Sequence, residues 1–319
     1  MLGVPFSLAR SVTKGDLPSV IVDAPKYPAN SVAQFNAAAA SVAEGGTLEI
    51  RPGRYFHSGV WSIPRNINVN ANGAEIVLDS GGGTYIDFPS AQYLNGTAPG
   101  TSLTSMPARG TTQLAWSSAP SLDPSDHFVY FDSTEDLIQR IGPEAYPFYK
   151  KQELGAFVRD DWTLRTPLNI SYATAAALAL RFFRKGNPVV IKGLRLSVEP
   201  AGGVTTKAQC IVLNGRSNIQ FDGLLINRRA TNWAGTNLVY INCYGLTFDN
   251  CWVIGSNSDS GDSYAFQHSV CDTIVFNGGG YVDSGGAVKR ERGIAGRHGS
   301  NFRITGTQVA GIDDHCGYR

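Results

Sequence analysis

Four segments of the C-terminal half share one pattern: SNIQFDGLLI (217–226), YGLTFDNCWV (244–253), DTIVFNGGGY (272–281) and SNFRITGTQV (300–309). Their central apolar residues, Phe221, Phe248, Phe276 and Ile304, advance by 27, 28 and 28 residues, and VVIKGLRLSV places Ile191 about one period earlier. A unit this short cannot bury its own apolar face, so neighbouring units must stack and bury each other. The copies alternate apolar and polar residues and break at Gly and Asn, so they read as strands rather than helix pairs. The expected fold class is all-β: a right-handed parallel β-helix, or solenoid.

Composition agrees and removes several function classes. The chain has 319 residues with 36 Gly, only 17% charged residues and a formal net charge of +1. Without a Lys/Arg block, no nucleic-acid partner is expected. No stretch reaches the roughly 18 apolar residues of a membrane span, so no membrane insertion is expected. The start, MLGVPFSLARSVTKGDLP, lacks the charged and apolar regions of a signal peptide. Five cysteines, Cys210, Cys243, Cys251, Cys271 and Cys316, lie in the repeat half. Cys243 and Cys271 fall five residues before Phe248 and Phe276, which predicts two small apolar side chains stacked on adjacent coils rather than a disulfide or metal site. Free buried thiols fit assembly in a reducing cytoplasm. No cofactor is called for.

Along the chain, residues 1–19 read as an arm or connector and 20–319 as the β-helix. A helix over about 31–43 follows from a Ser31/Gln34 capping box, an apolar stripe of Val32, Phe35 and Ala39, and the terminating Gly45-Gly46 pair. It would cap the open first coil. TLEI, RPGRY and INVNANGAEIVL then alternate strands with turns. Residues 90–187 are irregular: the pattern suggests coils with long insertions, a helical-looking ATAAALALRFF and a short helix at Ser133 to Ile141. Regular coils run over 188–319. The final coil breaks off fifteen residues after Ile304, which predicts a native chain that continues past Arg319 or an end covered by other chains.

The N-terminal pattern, with Asp23, Phe35, Ala38 and Ala39, then Thr47, Leu48, Ile50, Pro52, Gly53 and Tyr55, resembles the D-x(n)-F-x-A-A and T-L/V-x-I/V-P-x-G-x-Y signature of pectate-lyase-like right-handed parallel β-helix proteins. Within that superfamily the chain looks most like bacteriophage tailspikes. The resemblance implies a homotrimer on the virion tail, assembled in the host cytoplasm and attached to other tail or baseplate proteins. It further implies binding and cleavage of a bacterial surface polysaccharide; a non-catalytic receptor-binding protein and a polysaccharide lyase are the alternatives.

Equal offsets from the anchors stack along a β-helix at about 4.8 Å per coil. Asp262, Arg290 and Tyr318 share offset fourteen, Glu291 and Arg319 share offset fifteen, and Trp233 lies at offset twelve. Carboxylates, guanidiniums and aromatic rings on one stripe suit sugar binding, although charged turn residues are also commonly just solvated. GIDDHCGYR (311–319) supplies Asp313, Asp314 and His315. Its GIDDHC portion resembles the G-x-D-D-C segment of polygalacturonases, whose H-G motif is echoed at His298, in reversed order and without R-I-K. An Asp-rich turn with side-chain capping is the competing reading. The candidate catalytic residues are therefore Asp313, Asp314, Glu291 and Asp262, and the candidate sugar-binding residues are Trp233, Arg290, Arg292, His298, His315, Tyr318 and Arg319. No metal ligands are expected; NSDSGD (257–262) lacks the ligand order of a calcium loop.

Overall fold

The computed structural model describes residues 19–22, 31–78, 84–89, 102–136, 150–158, 161–198, 208–228, 235–254, 263–282 and 291–310. The repeat anchors pair in register: Ile191 with Phe221, Phe221 with Phe248, Phe248 with Phe276 and Phe276 with Ile304. The same line extends upstream through Val69, Leu48 and Val20. The parallel β-solenoid is thus observed, and its axis is a column of stacked apolar side chains. Phe221, Phe248 and Phe276 stack nearly face to face, with centroids 5.5 and 4.7 Å apart.

Each coil has three faces. The first carries strands such as Ser217–Asp222 and Tyr244–Asp249. The second carries Arg54–His57, Glu75–Leu78, Arg195–Val198, Leu225–Arg228, Trp252–Ile254, Gly280–Val282 and Gln308–Ala310, which form one seven-stranded sheet. The third carries strands such as Ala208–Asn214 and Gly235–Ile241. Ser263–Asn277 and Glu291–Thr305 run round the corner and join the first and third faces in one sheet. Between the first and second faces the chain turns through a left-handed residue on successive coils: Gly193, Gly223, Asn250, Gly278 and Gly306, with φ of 66°, 69°, 49°, 65° and 66°. A Cβ is disfavoured in that region, and Asn is the side chain that tolerates it best. Their amides donate to the next coil, as from Gly223 N to Asp249 O at 2.9 Å and from Gly278 N to Thr305 O at 2.7 Å.

The capping helix is present at Val32–Ser41, with Phe35, Ala38 and Ala39 buried. Two details differ from expectation. Val32 is only half-buried. Ser31 makes no side-chain cap bond; its hydroxyl donates to Phe56 O at 2.9 Å, tying the helix start to the first coil. Ser19–Val22 pairs in parallel with Thr47–Ile50; residues 1–18, expected as an arm, lie outside the described residues. Cys243 and Cys271 are buried on adjacent coils, as the stacking argument expected, and Cys210 and Cys251 are buried as well; Cys316 lies outside the described residues.

The described part of the irregular middle forms an inserted sheet rather than coils. His127–Asp136, Lys150–Val158, Thr163–Leu164 and Leu178–Arg184 form an antiparallel sheet. The helical reading of ATAAALALRFF fails: only Ala175–Ala177 is a 3-10 turn, and LALRFF is strand. Its alternate residues serve different neighbours, with Phe182 in the insertion's own core and Phe183 against the solenoid, a period of two rather than 3.6. Ser133 to Asp136 likewise continue a strand, and 137–141 lie outside the described residues. The inserted sheet has its own core around Val129, Phe131, Phe157 and Phe182. Its other face packs Phe128, Tyr130, Leu154, Ala156 and Phe183 on Tyr244 and Val270 of the solenoid corner.

Ile191 pairs directly with Val69, so the chain leaves the solenoid and returns without loss of register. The return point is held by a partly buried polar cluster. Glu44 accepts from the amides of Asn66 (3.0 Å) and Asn187 (3.1 Å), and the Asn66 side chain donates to Asn187 O and Ser217 O. The fully buried Arg216 guanidinium donates to Ile63 O at 2.9 Å, and burial lowers its pKa to about 10. Gly186 is obligatory here, because a Cβ would lie 2.1 Å from Asn66 Nδ2.

Candidate functional site

The outer side of the second sheet carries a groove of about 440 Å³ that crosses four coils. Strand alternation turns Tyr55, Ile76, Leu196 and Ile226 into the core, and so turns Arg54, Glu75, Arg195, Ser197, Leu225 and Asn227 outward. Gly53 and Gly73 contribute backbone without side chains, which keeps one end open. Arg54 and Arg195 both pair in register with Glu75, one coil away on either side.

Glu75 is committed to two partners. Arg54 Nε lies 3.3 Å from its Oε2, and the Ser197 hydroxyl, 4% exposed, donates to its Oε1. Arg54 also lies over the Phe56 ring at 5.3 Å. Arg195 is exposed and pairs with no carboxylate among the described residues. One coil beyond Leu225, at the same register position, stands Trp252, whose indole N–H donates to Asn250 Oδ1 at 2.9 Å. A shallow trough with two guanidiniums, one carboxylate, a hydroxyl, an amide and a neighbouring indole offers donors, acceptors and an aromatic face to a hydroxyl-rich ligand.

Other polar clusters are bound up in structure. Asp249, on the outer side of the first sheet, accepts from Gln220 at 2.5 Å and from Asn277 at 2.6 Å. Glu153 in the insertion is 6% exposed, and burial raises its pKa; its oxygens accept the amides of Asn169 and Ile170 and the Tyr172 hydroxyl, pinning that loop. Among the described residues, no group of three or more His, Cys, Asp or Glu is placed to hold a metal ion.

Of the residues singled out from sequence, Glu291, Arg292 and His298 belong to the strand Glu291–Thr305. Glu291 pairs with Ser263 and Arg292 with Tyr264, so the residues immediately after Asp262 and Arg290 are register partners one coil apart. Asp262, Trp233, Arg290, Asp313, Asp314, His315, Tyr318 and Arg319 lie outside the described residues. The groove residues Arg54, Glu75, Arg195, Ser197 and Asn227, and the neighbouring Trp252, were not anticipated. The available signal was a charge or hydroxyl at the outward position of otherwise apolar strands, AEIVL and RLSV.

No family model matches the sequence, and no curated protein matches it. Solved structures do. The tailspike gp61 of Pseudomonas phage phi297 is similar with a TM-score of 0.58 at 14% identity, covering 89% of this chain and 46% of that one. The tailspike gp49 of Pseudomonas phage LKA1 gives 0.46 at 15% identity, over 87% of this chain and 56% of that one. The gp54 tailspike of Acinetobacter baumannii bacteriophage AP22, solved with a capsular saccharide, gives 0.36 at 11% identity, over 88% of this chain and 67% of that one. The chain spans about half the length of the first two. In its backbone architecture, this protein shares the parallel β-solenoid fold of the phi297 phage tailspike.

Proposed function

We propose that the chain is part of a phage tailspike that binds and cleaves a bacterial surface polysaccharide during host attachment, acting by glycoside hydrolysis as a homotrimer on the virion tail. The observation that carries the reading is the groove of the second sheet: an open trough along stacked coils, with charged, hydroxyl, amide and aromatic groups in reach of an extended polymer. The shared fold supports it as the scaffold on which tailspikes are built.

Cleavage needs two carboxyl groups flanking the bond, about 5 to 5.5 Å apart for retention and about 6.5 to 9.5 Å for inversion. One protonates the leaving oxygen while the other attacks the anomeric carbon or deprotonates water. Asp313 and Asp314, with Glu291 and Asp262, are the proposed acid and base groups. Trp233, Arg290, Arg292, His298, His315, Tyr318 and Arg319 are the proposed sugar contacts. The register partnership of Ser263 with Glu291 supports adjacency of Asp262 and Glu291 along the chain path.

Asp313→Asn and Asp314→Asn are expected to abolish oligosaccharide release while leaving polysaccharide binding and the fold intact. Full activity in both variants would remove these residues from the mechanism. A second reading, receptor binding without cleavage, is favoured by one observation: among the described residues the groove is lined by a single carboxylate, already engaged by Arg54 and Ser197. It predicts binding with no shortened product from any host polysaccharide. A lyase would instead release products with the ultraviolet absorbance of an unsaturated uronate.

A further inference from the structure

At one register position of the second sheet, successive coils present Arg54, Glu75, Arg195, Leu225 and Trp252. Neighbours along this line are one strand spacing apart, about 4.8 Å, so Arg195 and Trp252 stand about 10 Å apart. Glu75 lies one coil from each flanking guanidinium, and its oxygens are engaged by Arg54 and by the nearly buried Ser197 hydroxyl. Arg195 is left exposed on the groove wall and meets no carboxylate among the described residues. Among the described residues that line the groove, guanidiniums thus outnumber carboxylates, with Arg195 as the exposed one. Trp252 is fixed by its bond to Asn250 and offers the nearest outward aromatic face along the line.

We propose that this groove selects an anionic polysaccharide, with Arg195 gripping an acidic substituent of one sugar unit while Trp252 stacks on a nearby pyranose face. The planar guanidinium matches either a uronate carboxylate or a phosphate ester through two parallel N–H donors, which neutral hydroxyls cannot reproduce. The indole face adds contact that is blind to charge. The inference rests on the proposed polysaccharide ligand and adds its charge class and the residue that reads it.

The test compares binding of the full chain to polygalacturonate, dextran phosphate and neutral dextran by affinity electrophoresis at low ionic strength. At least one anionic polymer is expected to bind roughly tenfold tighter than dextran, the size of one charge-assisted contact. Which of the two does so identifies carboxylate or phosphate as the recognised group. Arg195→Gln is expected to erase that preference and keep dextran-level binding, whereas Trp252→Ala weakens binding to all three polymers. Arg303→Gln, an exposed guanidinium on the outer side of the first sheet, is the control and is expected to preserve the preference. Equal affinity for all three polymers, or a preference that survives Arg195→Gln, would overturn the charge assignment alone. Absence of binding to these polymers and to purified capsules and O-antigens would overturn the polysaccharide reading together with it.

Discussion

The solenoid and the inserted sheet are both mostly β-structure, yet their cores are built on opposite plans. In the solenoid each core side chain meets the same position of the next coil, so Phe248 lies between Phe221 and Phe276. In the insertion, antiparallel strands bring together Phe131, Tyr172, Phe157 and Phe182 from unrelated sequence positions. Order in the solenoid is therefore shared along its axis. Order in the insertion is local, coupled to the coils through the seam at Phe128, Phe183, Tyr244 and Val270.

Substitution of ring anchors should expose this difference most strongly. Phe248→Ala removes the middle of a stacked column and is expected to cost about 3 to 5 kcal/mol, with hydrogen exchange accelerating in coils on both sides. Phe182→Ala should have a similar local cost, but faster exchange should stay within 102–136 and 150–184. Equal spread of the two effects would erase the distinction.

Acid is the next largest lever, and it acts on the solenoid. His57 is fully buried beneath the capping helix, between Phe35 and Trp61, with neither ring nitrogen hydrogen-bonded. Burial lowers its pKa from 6.5 to about 3, and that of His268 to about 4. Between those values and 6.5 the unfolded chain binds protons that the folded chain refuses, so stability is full above about 6.5 and falls as pH drops. His57 alone should cost roughly 3 kcal/mol at pH 4. Glu153 and Asp272 act with the opposite sign: burial raises their pKa, so the destabilisation they cause sets in as pH rises above the carboxylate values of 4.5 and 3.8, and acid relieves it. Thermal melts from pH 7 to 4 should show the loss, and His57→Leu should flatten it. An unchanged pH profile in that variant would contradict the assignment.

The turns give smaller, graded effects. At Gly279, with φ +73°, a Cβ would lie 2.2 Å from Cys251 O, so Gly279→Ala must displace backbone and should cost more than 2 kcal/mol. At Gly223, with φ +69°, nothing lies within 4 Å, and Gly223→Ala should cost only about 1 kcal/mol from backbone strain. Chemical denaturation of the two variants measures the difference. An effect of similar size to that at Gly223 is expected at the seam: Asn301 donates to Thr166 at 3.0 Å and to Asp272 at 2.6 Å. Asn301→Ala should cost about 1 kcal/mol and raise exchange at the contact between the two regions before either core responds.

The same contrast explains what could be read from the sequence. The anchors from Ile191 to Ile304 were legible because each pairs with its own image one period away. The insertion was not, because pairs such as Phe131 with Leu180 obey no period and a run of Ala and Leu imitates a helix. The groove stayed hidden for a third reason. Glu75 and Arg195 are neighbours only because Val69 pairs with Ile191 across 122 residues, and no 27-residue ruler reaches that far. The offset ruler instead pointed to Asp262, Arg290, Glu291 and Arg319, and a local motif to Asp313 and Asp314; of these, Glu291 is the one among the described residues, in the strand Glu291–Thr305.

The central claim is that the solenoid, rather than the insertion, grips the polysaccharide. Hydrogen exchange with and without a bound host polysaccharide tests it directly. The account predicts protection of Arg54–His57, Glu75–Leu78, Arg195–Val198 and Leu225–Arg228, with little change in His127–Asp136 and Lys150–Val158. Protection confined to the inserted sheet, with the groove strands unaffected, would contradict it.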